Sequence, residues 1–165
     1  MGYNTQSYRL SSGLSSLFLI IAVFTLLILV FIVTRVHISK FRDGQIVDAV
    51  VGGQTYKLEV AKSDSARARG LSNRTALDSQ SGMLFVFDSD GYYAFWMKNT
   101  LIPLQILWLD SNFRVVDKKL MAVEQNPSSP QKTYTPQPLA RYAIEINPLS
   151  ENNDINLGGK INISY

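Results

Sequence analysis

The sequence contains no cysteine. That excludes a disulfide framework, a thiolate nucleophile, Cys-ligated zinc and iron–sulfur clusters. It has a single histidine, His37, placed beside an apolar run, so no Ser-His-Asp or Cys-His constellation can assemble inside one folded domain. Charge is missing altogether from Leu10 to Thr34. Proline is concentrated in one place, with four of the six between Glu124 and Pro138. A chain of 165 residues also leaves no room for a second large catalytic domain.

The charges that are present divide unevenly. Of 16 Lys and Arg, four (Arg9, Arg35, Lys40, Arg42) precede residue 46, against one acid, Asp43; the remaining 12 basic residues face 12 acidic ones. The net charge of +3 therefore belongs to the N-terminal segment. Nucleic-acid binding requires a concentrated basic surface, and the basic residues beyond 46 are dispersed. No nucleic-acid partner is expected.

Leu14 to Val33 is a run of 20 residues, 16 of them Leu, Ile, Val or Phe. As a helix it would rise about 30 Å, the thickness of a bilayer's hydrocarbon core. The rest of the chain is too small to cover every face of such a helix as a core element. The pattern predicts a short tail (1–13), a transmembrane anchor (14–33), a juxtamembrane linker (34–45) and a folded domain (46–165). No A-x-A-like site follows the run, so an uncleaved signal anchor is expected. The Lys/Arg count would place the C-terminal side in the cytoplasm by a margin of about one charge, too little to fix orientation.

The folded part reads as mainly β. Ile46–Val51 and Gln54–Ala61 flank Gly52-Gly53, which suits a tight hairpin; Tyr56, Leu58 and Val60 alternate with Lys57 and Glu59. Ser63 or Asp64 caps a short helix, Ser65 to Arg69, that Gly70 can end. Met83–Phe87 is a strand, Asp88 to Gly91 a turn, and Tyr92–Met97 a further strand. Leu101–Asp110, with Pro103, suits an edge strand or a strand start. Phe113–Asp117 completes a hairpin, Glu124–Pro138 is a long loop, and Arg141–Asn147 and Lys160–Tyr165 alternate as strands. The expected architecture is a compact β-sandwich or partly closed barrel with one short helix, preceded by the transmembrane helix.

Chemistry concentrates in Phe95-Trp-Met-Lys-Asn-Thr100. Strand pleating would put Trp96, Lys98 and Thr100 on one face, the aromatic ring and the ammonium about 7 Å apart, a pairing suited to a carboxylate, phosphate or sugar. The competing reading is a packed Trp with Lys98 extended into water. Glu145 lies between apolar neighbours in its strand. It is read either as half of a buried ion pair, with Lys98, Arg67 or Arg141, or as a catalytic acid or base. Arg67, Arg69 and Arg74 cluster near the short helix as an anion-site candidate, set against solvated arginines with Arg74 paired to Asp78. Asp88 and Asp90 lack the spacing and oxygen count of a Ca²⁺ loop.

Arg67…Gly70-Leu71…Arg74…Leu77, Gly82-Met-Leu-Phe-Val-Phe87, Phe95-Trp-Met-Lys-Asn-Thr-Leu-Ile-Pro-Leu104 and Arg141-Tyr-Ala-Ile-Glu145 follow one another in the chain. In that order and separation they resemble the DUF192 family over about residues 52–165. The resemblance implies a compact all-β domain, commonly exported behind a signal peptide or anchor, without an established activity. It marks Arg67, Gly70, Arg74, Gly82, Trp96, Met97, Lys98, Asn99, Thr100, Pro103 and Glu145 without assigning them roles. The chain departs from the family pattern at Ala66, Ser72, Gln105 and Lys160, where the family usually has Glu, Met, Asp and Asp.

Taken together, the expectation is a single-pass cell-membrane protein whose C-terminal domain is extracytoplasmic. It would be a non-catalytic module binding a small anionic ligand, a cell-envelope glycan or peptide, or a partner protein. The ligand-binding candidates are Trp96, Lys98, Asn99, Thr100, Arg67, Arg74 and Glu145. The alternatives are a small hydrolase, with Glu145 as general acid or base and Lys98 as electrostatic stabiliser, and a structural envelope-assembly domain. No cofactor and no metal ligand set is expected.

Overall fold

The computed structural model describes residues 11–37, 40–148 and 155–164, with the side chains of the first helix described at 17–30. The chain divides into two compact units, Met1–Lys40 and Phe41–Tyr165.

The first unit corrects the sequence reading. Helix α1 spans Ser11–His37, yet among the described residues no helix is long and apolar enough to cross a membrane. Side chains 14–16 and 31–33, the ends of the expected span, lie outside the described ones, as does the tail 1–10. The transmembrane anchor is therefore withdrawn. The bilayer partner and the single-pass cell-membrane location rested on it and are withdrawn, and with them the extracytoplasmic placement that the resemblance implied for an anchored chain.

The second unit is built on one large sheet. Its strands are β1 (Ile46–Val51), β2 (Gln54–Ala61), β3 (Ser81–Gly91), β5 (Leu104–Leu109), β6 (Val115–Met121), β8 (Ala140–Ile146) and β9 (Asn162–Ser164), ordered β6-β5-β8-β3-β2-β1-β9. A two-stranded ladder joins β4 (Phe95–Trp96) to β7 (Thr133–Tyr134). Every described pairing in the large sheet is antiparallel except β2 with β3. A parallel pair needs a crossover, and here it carries helix α2 (Asp64–Arg69). Ser63 caps that helix by accepting from the Ala66 N–H, and Gly70 closes it at φ 49°.

The predicted sandwich or barrel is not what forms. Among the described residues β6 and β9 stand at opposite ends of the strand order and share no ladder; the segments beside them meet through the isolated bridge Arg114↔Lys160 and bonds such as Val115 N–H to Gly159 O (2.9 Å). No sheet closes into a barrel. β5 is no edge strand either, since it lies between β6 and β8; Pro103 sits just before it, where no ladder bond is lost. β3 runs through the expected turn at 88–91, and the strand expected over Tyr92–Met97 shrinks to two residues.

Both faces of the large sheet are buried at its centre. One core gathers Val47, Ala49, Leu58, Val60, Leu84, Leu107, Ile144 and Ile146. The other gathers Leu71, Met83, Phe85, Met97, Ile106, Trp108, Tyr134 and Ala143, beneath α2 and the connecting loops. A strand buried on both faces loses the polar alternation of a half-exposed one, and β8 shows this with four consecutive buried residues, 143–146.

Gly82 is where β3 passes closest to its neighbours. A Cβ there would collide with the Glu145 backbone oxygen, and would lie 2.7 Å from Ile146 Cγ2 and 2.9 Å from Leu58 Cδ2. Gly82→Ala is therefore expected to destabilise the domain by about 1–3 kcal/mol through overpacking. Urea unfolding should show a lower midpoint with an unchanged slope; an unaltered midpoint would contradict this packing.

Candidate functional site

A pocket opens on the second core face, between the end of α2, the turn after β4, and β8. Its wall comes from residues 68–72, Phe85, Trp96, Lys98 and Thr100, and Glu145 lies at its floor. The space inside it is about 20 Å³, enough for about one water-sized group and far below the ~300–1,000 Å³ of sites that enclose drug-sized molecules.

The walls are set by backbone bonds. The Lys98 carbonyl accepts from Ser72 Oγ at 2.8 Å and from Thr100 Oγ1 at 3.3 Å. The Asn73 N–H donates to Asn99 O at 2.7 Å, and the Asn99 N–H donates to Pro127 O at 2.7 Å. Asn99 takes φ 52°, a left-handed conformation that asparagine tolerates better than most residues. This turn presents Lys98, whose Nζ stands 5.5 Å from the centre of the Trp96 ring. Trp96 is 54% exposed.

Glu145 is the exception in its surroundings. It pairs with Met83 on β3 and Ile106 on β5, so both cross-strand neighbours on its face are apolar, and it is 4% exposed. No hydrogen bond or ion pair is formed by its carboxyl among the described residues, and burial alone pushes its pKa up to about 8. Ionising a carboxyl in such a place costs several kcal/mol, so it holds its proton at neutral pH. No fully enclosed side-chain nitrogen or oxygen lacks a partner among the described residues. The Glu145 oxygens therefore meet the pocket's open volume rather than a sealed void.

None of the three cations considered as partners for Glu145 pairs with it. Arg67 pairs with Asp64, donates to Lys62 O and to Val86 O (2.9 Å), and lies 4.9 Å over the Phe87 ring. Arg141 donates to Asp90 at 2.7 Å, which also occupies one acid of the weak Ca²⁺ reading. Lys98 faces Trp96. Arg74 pairs with Glu59 at 2.5 Å instead of Asp78. Among the described residues no cluster of three potential metal ligands forms.

Of the predicted site residues, the pocket brings together Trp96, Lys98, Thr100 and Glu145. Arg67, Arg74 and Asn99 do not line it; they hold α2, β2 and the turn in place. The sequence reading of the site omitted Leu71, Ser72 and Phe85, and named Arg69 only as one of an arginine cluster. Gly70-Leu71 within the family pattern was the available signal for this wall.

A family model matches residues 47–163, more than half the chain, and the chain belongs to the DUF192 family, described as an uncharacterized ACR. No curated protein matches. Two solved structures are similar. One is "a putative transcription regulator" from Sinorhizobium meliloti 1021, at 25% identity and TM-score 0.60, covering 74% of this chain and 96% of that one. The other is a protein of unknown function from Novosphingobium aromaticivorans DSM 12444, at 27% identity and TM-score 0.60, covering 71% and 83%. With no helix long and apolar enough to cross a membrane among the described residues, the expectation of a membrane-anchored extracytoplasmic envelope protein is overturned.

Glu145 makes stability depend on pH. The folded chain keeps this proton up to about pH 8, whereas an unfolded chain releases it near 4.5. Between those values the unfolded state binds fewer protons, so the contribution of Glu145 falls as pH rises, by up to about 1.4 kcal/mol per unit. Asp43 does not confuse the test: hydrogen bonds from Ser63 and Lys62 hold its pKa below the usual 3.8, so its contribution is lost only at more acid pH. The unfolding free energy of the wild type minus that of Glu145→Gln should decline between about pH 5.5 and 7.5. A difference independent of pH would contradict the assignment.

Proposed function

We propose that this DUF192 domain is a small-molecule binding module whose site is the pocket floored by Glu145 and bounded by Trp96, Lys98 and Thr100. One observation carries the reading: a carboxyl on a residue 4% exposed, without a protein hydrogen bond among the described residues, whose oxygens reach open volume. Buried polar groups are ordinarily hydrogen-bonded, to protein or to water. A ligand group entering the pocket takes the place that water otherwise fills. Leu71, Phe85 and Trp96 contribute the apolar part of a lining whose exposed surface is mostly polar.

The hydrolase alternative is not carried forward. A pKa near 8 suits acid–base work, but the pocket is lined by a single carboxyl, and glycoside cleavage by the usual route needs two. The envelope-assembly alternative falls with the anchor.

A fragment library screened by NMR against the full chain tests the reading. Hits should converge on Trp96, Leu71 and Thr100, and Glu145→Leu, which fills the floor with an apolar group, should weaken them about tenfold or more. Hits that map elsewhere, or that ignore this substitution, would contradict it.

A further inference from the structure

The charges around the pocket are one-sided. Arg69, at the end of α2, and Lys98, on the turn after β4, both line it, and neither makes an ion pair among the described residues. In the cross-strand row through Glu145, the next ionisable positions are Glu59, beyond Met83, and Lys119, beyond Ile106. Glu59 is held by Arg74, and Lys119 by Asp117 and the Thr135 carbonyl. The pocket thus presents two uncompensated cations at its wall, an acid at its floor and apolar side chains between.

From this pattern we infer that the pocket takes the carboxylate of a small organic acid, with the Glu145 carboxyl donating its O–H to one ligand oxygen and Arg69 and Lys98 countering the charge. The inference rests on the binding reading above and narrows it to a ligand class. A planar two-oxygen group can accept from the floor and from a cation at once; the interior, about 20 Å³, takes one oxygen-sized group, and the rest of the acid lies at the open mouth. Leu71, Phe85 and Trp96 then face the carbon skeleton of the acid. An amine would meet two like charges on entry. A phosphate offers the same oxygens but brings a bulkier tetrahedral head with more charge.

The ligand's charge also favours the protonated state of Glu145, since a neighbouring anion disfavours a second one. Only the protonated form donates, so affinity follows the protonated fraction. With the carboxyl titrating near 8, binding should hold level at neutral pH and weaken about tenfold by about pH 9.

The test titrates the full chain with acetate and propionate, and in parallel with acetamide, methylammonium and inorganic phosphate, following the Trp96 indole N–H and the Glu145 carboxyl carbon by NMR. Acetate and propionate are expected to shift both signals saturably near neutral pH and to bind about tenfold more weakly near pH 9. Glu145→Gln should still bind through its amide N–H, but with that pH dependence abolished. Replacing Arg69 and Lys98 together by alanine should weaken binding about tenfold or more. Tighter binding of methylammonium or phosphate at the same residues would overturn the carboxylate class while leaving the pocket as a binding site. If no probe of any charge moves either signal, the class and the binding reading fail together.

Discussion

A carboxyl group on the apolar face of a sheet, between Met83 and Ile106, must either find a cation, keep its proton or reach water. Glu145 finds no cation among the described residues, and it keeps its proton. The local architecture is consistent with that outcome. Gly82 brings β3 close against the Glu145 backbone, α2 and the loop after it rise on one side, and the turn at 98–100 closes the other. Each element leaves a gap above the carboxyl instead of filling it.

The arrangement costs stability. An apolar side chain of similar volume would suit this position better at neutral pH, since replacing buried polar groups by packed hydrophobes is often neutral or stabilising. Proteins accept such costs where a site needs them. The surrounding polar groups are handled differently: Arg67 divides its donors among Asp64 and two carbonyls, and the Lys98 carbonyl takes two hydroxyl donors. Against that background the unpartnered carboxyl and the uncommitted Arg69 and Lys98 stand apart, and all three border the same opening.

Local patterns were legible in the sequence where they are decided locally. The Gly52-Gly53 hairpin, the Ser63 cap and the Gly70 stop depend on a few adjacent residues, and each forms as expected. The long-range arrangement was not legible. Nothing local distinguishes the central β5 from an edge strand; of the two readings of Pro103, an edge strand or a strand start, the second holds, since β5 begins at Leu104. The parallel pairing of β2 with β3 depends on the crossover through α2, which alternation along a strand cannot reveal. The apolar run 14–33 is helical, but length and hydropathy alone overstated it as a span. At the site, Trp96, Lys98 and Glu145 drew attention because their residue types were unusual for their surroundings. Leu71, Ser72 and Phe85 look like ordinary core or loop residues until folding sets them around one opening.

The central claim is that Glu145 is a neutral, unpartnered acid at neutral pH. Carboxyl-carbon NMR of the full chain, with Glu145→Gln used to assign the resonance, measures this directly. The account predicts a titration midpoint near 8. A midpoint at or below the ordinary value of 4.5 would mean that a cation or a set of donors stabilises the carboxylate, and would contradict it.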